Sequence, residues 1–176
     1  MTMDGFVADS HGNLDWMVPE TDQKQIELLN TITENIGTIV LGRKMATEAI
    51  PHWQNIAENE SDKPEVKYAR FFVETPKIVF SKTLRNLDGK NVTIENGDVA
   101  GKINVLKEKT IKDIIVYGGA RFVSSLIENG LVDELNLFVH PVTVGKGLSI
   151  FNDKGKFTLS KSDSYSNGIV LMKYKL

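Results

Sequence analysis

The chain contains no cysteine. Disulfides, thiolate nucleophiles and cysteine-ligated metals are therefore all excluded. Histidine is nearly as scarce: His11, His52 and His140 lie far apart and lack ligand spacing, so no metal site is expected. An excess of basic residues is missing too. The 21 Lys and Arg stand against 23 Asp and Glu, which argues against a general nucleic-acid surface. No apolar run approaches a membrane span, and the first residues show no basic-then-apolar signal pattern, so cytoplasmic residence is the expectation. Neither a GxSxG elbow nor a GxxxxGK[ST] phosphate loop occurs. Internal repeats, heptads and low-complexity tracts are likewise absent.

What is present suits a soluble globular protein. Of 176 residues 41% are hydrophobic and 25% charged, enough for one domain over residues 1–176 with a proper core. Apolar runs at Thr38–Leu41, Lys77–Phe80, Val92–Glu95 and Ile114–Val116 read as strands, the last as one buried on both faces. Helical periodicity lies between them. Ile26, Leu29, Ile32, Thr33 and Ile36 share one side of a helix from about Thr21 to Asn35, which Gly37 ends. A short helix after Gly42-Arg43-Lys44 is expected to stop at Pro51. His52–Glu74 reads as a polar surface excursion with a helix around Val66–Val73, after Pro64. Asp98 caps a helix that runs through Glu108 with Val99, Ile103 and Leu106 inward, and Ala120–Asn129 forms another, closed by Gly130. Phe157–Tyr165 and Ile169–Tyr174 around Asn167-Gly168 form a β-hairpin. Strands alternating with helices, then a hairpin, indicate an α/β fold with a mostly parallel sheet and an antiparallel C-terminal hairpin.

Three turns in this pattern suit phosphate. Gly42-Arg43-Lys44, Ser81-Lys82-Thr83 and Tyr117-Gly118-Gly119 each follow a predicted strand. Glycines let backbone N–H groups approach an anion, a helix start adds partial positive charge, and Arg121 adds a full one. Each turn also has a plainer explanation: an isolated Gly-Gly more often serves tight geometry, and Ser-Lys-Thr can be a solvated turn. Ligands of parallel sheets gather at the carboxyl ends of the strands, so all three would share one rim.

The blocks TMDGFVAD, LDW, VLGRK, IVFSKTL, VYGGARFVSSLI and GLVDELNLFVHPVTVGKG occur in this order. Together they resemble the dihydrofolate-reductase-like superfamily, in the branch of the riboflavin-biosynthesis reductase C-terminal domain and its stand-alone bacterial relatives. The resemblance implies a three-layer αβα fold and an NADPH-dependent reductase of a small heterocyclic, ribosylaminopyrimidine-type substrate. Alternatives are dihydrofolate reductase-type activity or a non-catalytic nucleotide-binding dimer. It assigns the cofactor to Val7, Ala8, Gly42, Arg43, Lys44, Ser81, Lys82, Thr83, Tyr117, Gly118, Gly119, Ala120, Arg121 and Phe122. Met3, Asp4, Trp16 and Trp53 fall to the substrate side, with Asp4 as the catalytic group. Taken without the resemblance, Asp4 is a turn former, Trp16 a core plug, and Trp53 either a lid or a hydrophobic anchor. A homodimer through Leu131–Gly147 is implied as well, since Leu135–Val139 is apolar on both faces.

The chain departs from the pattern in three places. Met45 stands where the family has a phosphate-binding threonine, with Thr47 two residues on. Only two residues precede Met3, so residues upstream of Met1 are expected to complete a first strand. Folate reductases carry a carboxylate two residues after the proline that corresponds to Pro19; here that position is Thr21, with Asp22 one residue late, so folate is not the expected substrate.

Overall fold

The computed structural model describes residues 1–19, 22–59 and 65–176. Thr21 and Pro64, both invoked above, lie outside the described residues. In chain order the elements are β1(Ala8–Asp9), α1(Gln23–Asn35), β2(Ile36–Gly42), α2(Arg43–Asn59), α3(Glu65–Glu74), β3(Lys77–Phe80), β4(Val92–Glu95), α4(Val99–Lys109), β5(Asp113–Tyr117), α5(Ala120–Glu128), β6(Glu134–Val139), β7(Gly147–Leu148), β8(Thr158–Ser164) and β9(Val170–Lys175). The chain divides into two compact units, one of Met1–Thr31 with Ala120–Leu176, the other of Ile32–Gly119. No helix among the described residues is long and apolar enough to cross a membrane.

The Ile32–Gly119 unit is a parallel four-stranded sheet in the order β4-β3-β2-β5. Central β2 carries Ile39, Val40 and Leu41, none with any exposed surface, as a strand covered on both faces must. Burying each contributes about 1.5–3 kcal/mol before entropy is counted. Ile39 and Leu41 pack with Ala46 and Ile50 of α2, Phe72 of α3 and Val79 of β3. In contrast to the expectation, β5 is only half-buried. It ends the strand order, with β2 as its single neighbour in the sheet.

Two boundaries differ from the sequence reading. Gly37 does not end α1; it sits inside β2, at an irregularity in the pairing with β5. A Cβ there would meet the Lys112 side chain at 2.8 Å, so glycine serves a close approach rather than a cap. Nor does Pro51 end α2, which continues to Asn59. Its second half is held by packing: Trp53 meets Tyr68 edge-on at 4.7 Å, and Ile56 joins Val66 and Ala69 of α3. That apolar contact outweighs the one helical hydrogen bond the proline removes.

The other unit holds the antiparallel sheet β6-β9-β8 and the short pair β1-β7. The β8–β9 turn closes at Gly168, in the left-handed region at φ +84°. Asp22 fastens this turn to the start of α1: its carboxylate accepts the N–H groups of Lys24 and Gln25 and both the N–H and the hydroxyl of Ser166. Beneath lies a core of Tyr165, Ile169 and Leu171 with Val18, Leu28 and Phe138 packed on it. Beside β6 the chain start runs parallel, Met1 donating to the Phe138 carbonyl (2.5 Å) and accepting the His140 N–H (2.8 Å).

Candidate functional site

The registers of the parallel sheet bring the strand ends level. Gly42 pairs with Phe80, Phe80 with Glu95, and Leu41 with Tyr117. From β2 the chain steps outward to β3 and β4, then returns to place β5 on the other side of β2. Strand order thus reverses between β2 and β5, and the crevice outside their carboxyl ends is where such sheets bind ligands. Gly42-Arg43-Lys44 and Tyr117-Gly118-Gly119 stand at those two ends.

Chemically this rim is cationic and exposed. Helix α2 starts at Arg43 with no acid in its first turn, leaving its partial positive end uncompensated. Arg43 and Lys44 are exposed, and their side chains make no hydrogen bond or ion pair among the described residues. Neither Gly118 nor Gly119 adopts positive φ, and a Cβ on Gly119 would meet nothing within 4 Å. Local sterics therefore do not require glycine at 119. The open space suits the approach of a ligand to the backbone. Met45 packs against the core, and Thr47 donates its hydroxyl to the Lys44 carbonyl (2.9 Å) rather than presenting it.

The turn after β3 is built differently. Ser81 Oγ accepts the N–H groups of Thr83 (3.2 Å) and Leu84 (2.8 Å), and Ser81 N–H donates to the Glu95 carbonyl (3.0 Å). Asn96 Nδ2 donates to the carbonyls of both Ser81 and Leu84. Sequence reasoning missed Asn96, because Asn96-Gly97-Asp98 reads only as a turn before a capped helix. Left outward are the exposed side chains of Lys82 and Thr83.

Tyr117 is half-buried near Phe72 and Tyr68, and burial pushes its phenol pKa up against a hydrogen bond from Tyr68. Trp53, the lid-or-anchor residue, is lodged between α2 and α3 and acts as an anchor.

The remaining candidates belong to the other unit: Met3, Asp4, Val7, Ala8, Trp16, Ala120, Arg121 and Phe122. Asp4 is exposed and bound to the backbone at Val144 and Gly145. Its carboxylate accepts the N–H groups of Val144 (3.2 Å) and Gly145 (2.8 Å). Its pKa is lowered, chiefly by a hydrogen bond from Thr2; desolvation, the next largest effect, opposes this, and the backbone N–H groups lower it further. It is an ionised anchor at neutral pH. Val7 N–H donates to the Leu148 carbonyl, and Ala8 pairs with Leu148 in β1-β7. Gly147 permits that pairing, since a Cβ there would lie 2.2 Å from the Ala8 carbonyl oxygen. Met3 is exposed, whereas Trp16 stands edge-on to His140 at 5.4 Å with its indole N–H buried and unpartnered among the described residues. His140 is buried and accepts the Val18 N–H at Nδ1, which fixes a neutral ring protonated at Nε2. Burial and the nearby chain-terminal ammonium both lower its pKa. Ala120, Arg121 and Phe122 open α5, with Ala120 buried and Arg121 exposed.

The profile of the RibD C-terminal domain family matches residues 1–171. The chain belongs to that family. Within reach of this RibD-type chain is the uncharacterized protein YyaP of Bacillus subtilis, 34% identical over 99% of this chain and 90% of its own length. The riboflavin biosynthesis protein RibD of Aquifex aeolicus is 25% identical over 85% of this chain, which spans only 46% of that longer protein. Among solved structures, the diaminohydroxyphosphoribosylaminopyrimidine deaminase/5-amino-6-(5-phosphoribosylamino)uracil reductase of Thermotoga maritima superposes with a TM-score of 0.65 at 19% identity, covering 99% of this chain and 54% of the other. The fold is thus that of RibD-type reductases, and the chain is a distant homologue of the riboflavin-pathway reductase.

Proposed function

We propose that the protein is an NADPH-dependent reductase of a small heterocyclic, ribosylaminopyrimidine-type substrate. The supporting observation is the carboxyl rim of the parallel sheet. At its order-reversal point it places a helix start without acids, two cations without a partner among the described residues, and an open glycine. That donor set fits a dinucleotide pyrophosphate, and the β3 turn, with the Lys82 and Thr83 side chains exposed, fits a further phosphate on the ribose. Bound NADPH would supply the hydride. The chain's contribution is to hold the phosphates and align the reactants, so few reactive side chains are needed. Asp4, held ionised, is assigned to positioning: it fixes the loop Val144-Gly145 and can order a water that delivers the proton.

A second reading is a dimeric nucleotide-binding module without turnover. The ionised state of Asp4, held by backbone N–H groups, favours it, because a carboxylate is not itself a proton donor. One experiment separates the two. NADPH binding is titrated by fluorescence and its oxidation is then followed across a panel of aminopyrimidine ribosides and related carbonyl or imine heterocycles. Consumption with any member supports the reductase; tight binding without consumption across the panel supports the module.

A further inference from the structure

We infer that Asn96 is a positioning residue that shapes the β3 turn for the ribose phosphate of the cofactor. The inference rests on the cofactor reading above and extends it to a residue that carries no charge. Residues 81–84 form a loop held by four hydrogen bonds. The N–H groups of Thr83 and Leu84 go to Ser81 Oγ, and the carbonyls of Ser81 and Leu84 go to Asn96 Nδ2. Because one amide nitrogen holds both carbonyls, Asn96 ties the two ends of the loop together. It also keeps two carbonyl dipoles pointed away from where an anion would sit. What the clasp leaves outward is the side chains of Lys82 and Thr83, an ammonium and a hydroxyl one residue apart. That pair suits a phosphomonoester, which has several acceptor oxygens and a charge near −2.

The surrounding charges agree. The two acids that flank Asn96 are both occupied elsewhere. Glu95 is paired with Lys102 at 2.5 Å, and the Asp98 carboxylate caps α4 through the N–H groups of Ala100 and Gly101. Lys102 offsets part of the Glu95 charge, the Asp98 charge is held against the positive end of α4, and neither acid pairs with Lys82 among the described residues. The Glu95 carbonyl, through Ser81 N–H, extends the β3–β4 pairing by one more bond, so the clasp is seated on the sheet itself. Truncating Asn96 releases the Ser81 and Leu84 carbonyls at the rim and lets the loop relax. Replacing it by aspartate puts a carboxylate against those two oxygens.

The test measures dissociation constants of NADPH and NADH for wild type, Asn96→Ala and Asn96→Asp, with a thermal melt of each and amide exchange at Thr83 and Leu84. Losing the two amide–carbonyl bonds that hold the loop should raise the NADPH constant about tenfold in Asn96→Ala and further in Asn96→Asp. The NADH constant should stay within about twofold, and exchange at Thr83 and Leu84 should speed up. A merely structural asparagine would weaken both cofactors in the same proportion, or neither, and either result in a folded variant overturns the inference. Wild type that binds neither cofactor overturns the cofactor reading and this inference together.

Discussion

Lys77 offers the sharpest test of the packing in the Ile32–Gly119 unit. It opens β3 and is only 2% exposed. Its ammonium donates to the carbonyls of Phe72 (2.7 Å), Val73 (2.9 Å) and Thr75 (2.7 Å) and lies 5.3 Å above the Phe72 ring. These carbonyls end α3, where a cation also meets the negative end of the helix. Lys77→Met keeps the stem and removes the charge. Three carbonyls then lose a donor, at the low end of roughly 1–3 kcal/mol each, because each retains a second lone pair. Relief from burying an ammonium offsets part of this, and about 2 kcal/mol of net destabilisation remains. The pH dependence has a definite sign. Burial pushes the Lys77 pKa down to about 8 from 10.5, with Glu74 opposing. Above about pH 8 the unfolded chain therefore binds more protons at this site than the folded one, so folding stability from this site rises toward pH 10.5. Urea denaturation of both proteins over this range isolates the effect, since other titrating groups cancel in the difference. Wild type should lead at neutral pH, and its lead should widen above about pH 8. Equal stability at neutral pH, or a lead that narrows as pH rises, would refute the reasoning.

The same protein carries further tests. NADPH should bind at least about tenfold more tightly than NADH, one charge-assisted phosphate contact being worth about 1.5–3 kcal/mol; equal affinity rules this out, and Met45 in place of a hydroxyl keeps the preference moderate. Asp4→Asn should lower turnover much more than it weakens NADPH binding, and unchanged turnover would leave Asp4 as a turn residue only. Light scattering should show a homodimer formed through Leu131–Gly147, where Leu135 is buried and Leu137, Phe138 and Val139 are half-buried; a monomer at micromolar concentration contradicts it. Dihydrofolate should be a poor substrate or none. Asp22, pulled to a pKa of about 2 chiefly by the Ser166 N–H and hydroxyl, is already spent on the helix cap and the hairpin turn. Its contribution to stability is present above the ordinary value of 3.8 and is lost as pH falls through about 2, and Asp22→Asn should flatten that acid limb. Efficient dihydrofolate turnover that Asp22→Asn abolishes would show the assignment to be wrong.

Much of the fold was legible because its signals are local. The apolar run of β2, the cap at Asp98 and the Gly168 turn each need only a few neighbouring residues, and each appears where expected. The level strand ends also followed, once the sheet was read as parallel. What stayed hidden depends on partners distant in the chain. Pro51 does not stop α2, because Trp53 and Ile56 gain more from α3 than the helix loses. Gly37 resembles a cap until Lys112 approaches it from across the sheet. The Asn96 clasp joins residues 12 and 15 positions back, beyond any turn pattern. Asp4 was legible as a special residue, but its partners Val144 and Gly145 lie at the far end of the chain.

The two rims of the parallel sheet differ in a way that bears on where a ligand binds. At the amino ends of the strands the polar groups satisfy one another. Lys77 is held by three carbonyls, Lys90 is paired with Glu74 (2.7 Å), and Asn91 donates to the Glu74 carbonyl (2.7 Å). Asn35 donates to Asp113 (2.7 Å), and Lys112 reaches the Glu34 carbonyl (3.4 Å). At the carboxyl ends, by contrast, Arg43, Lys44 and Lys82 are exposed and make no such bond among the described residues. These cations have no carbonyl or carboxylate partner among the described residues, whereas Lys77 and Lys90 at the amino rim each have one. Arg43 and Lys44 also stand at a helix start, where a cation is locally unfavourable because it faces the positive end of the helix. A bound anion removes that conflict, satisfying the helix end and both side chains at once. On this ground we propose that the carboxyl rim, rather than the amino rim, holds the phosphate-bearing ligand.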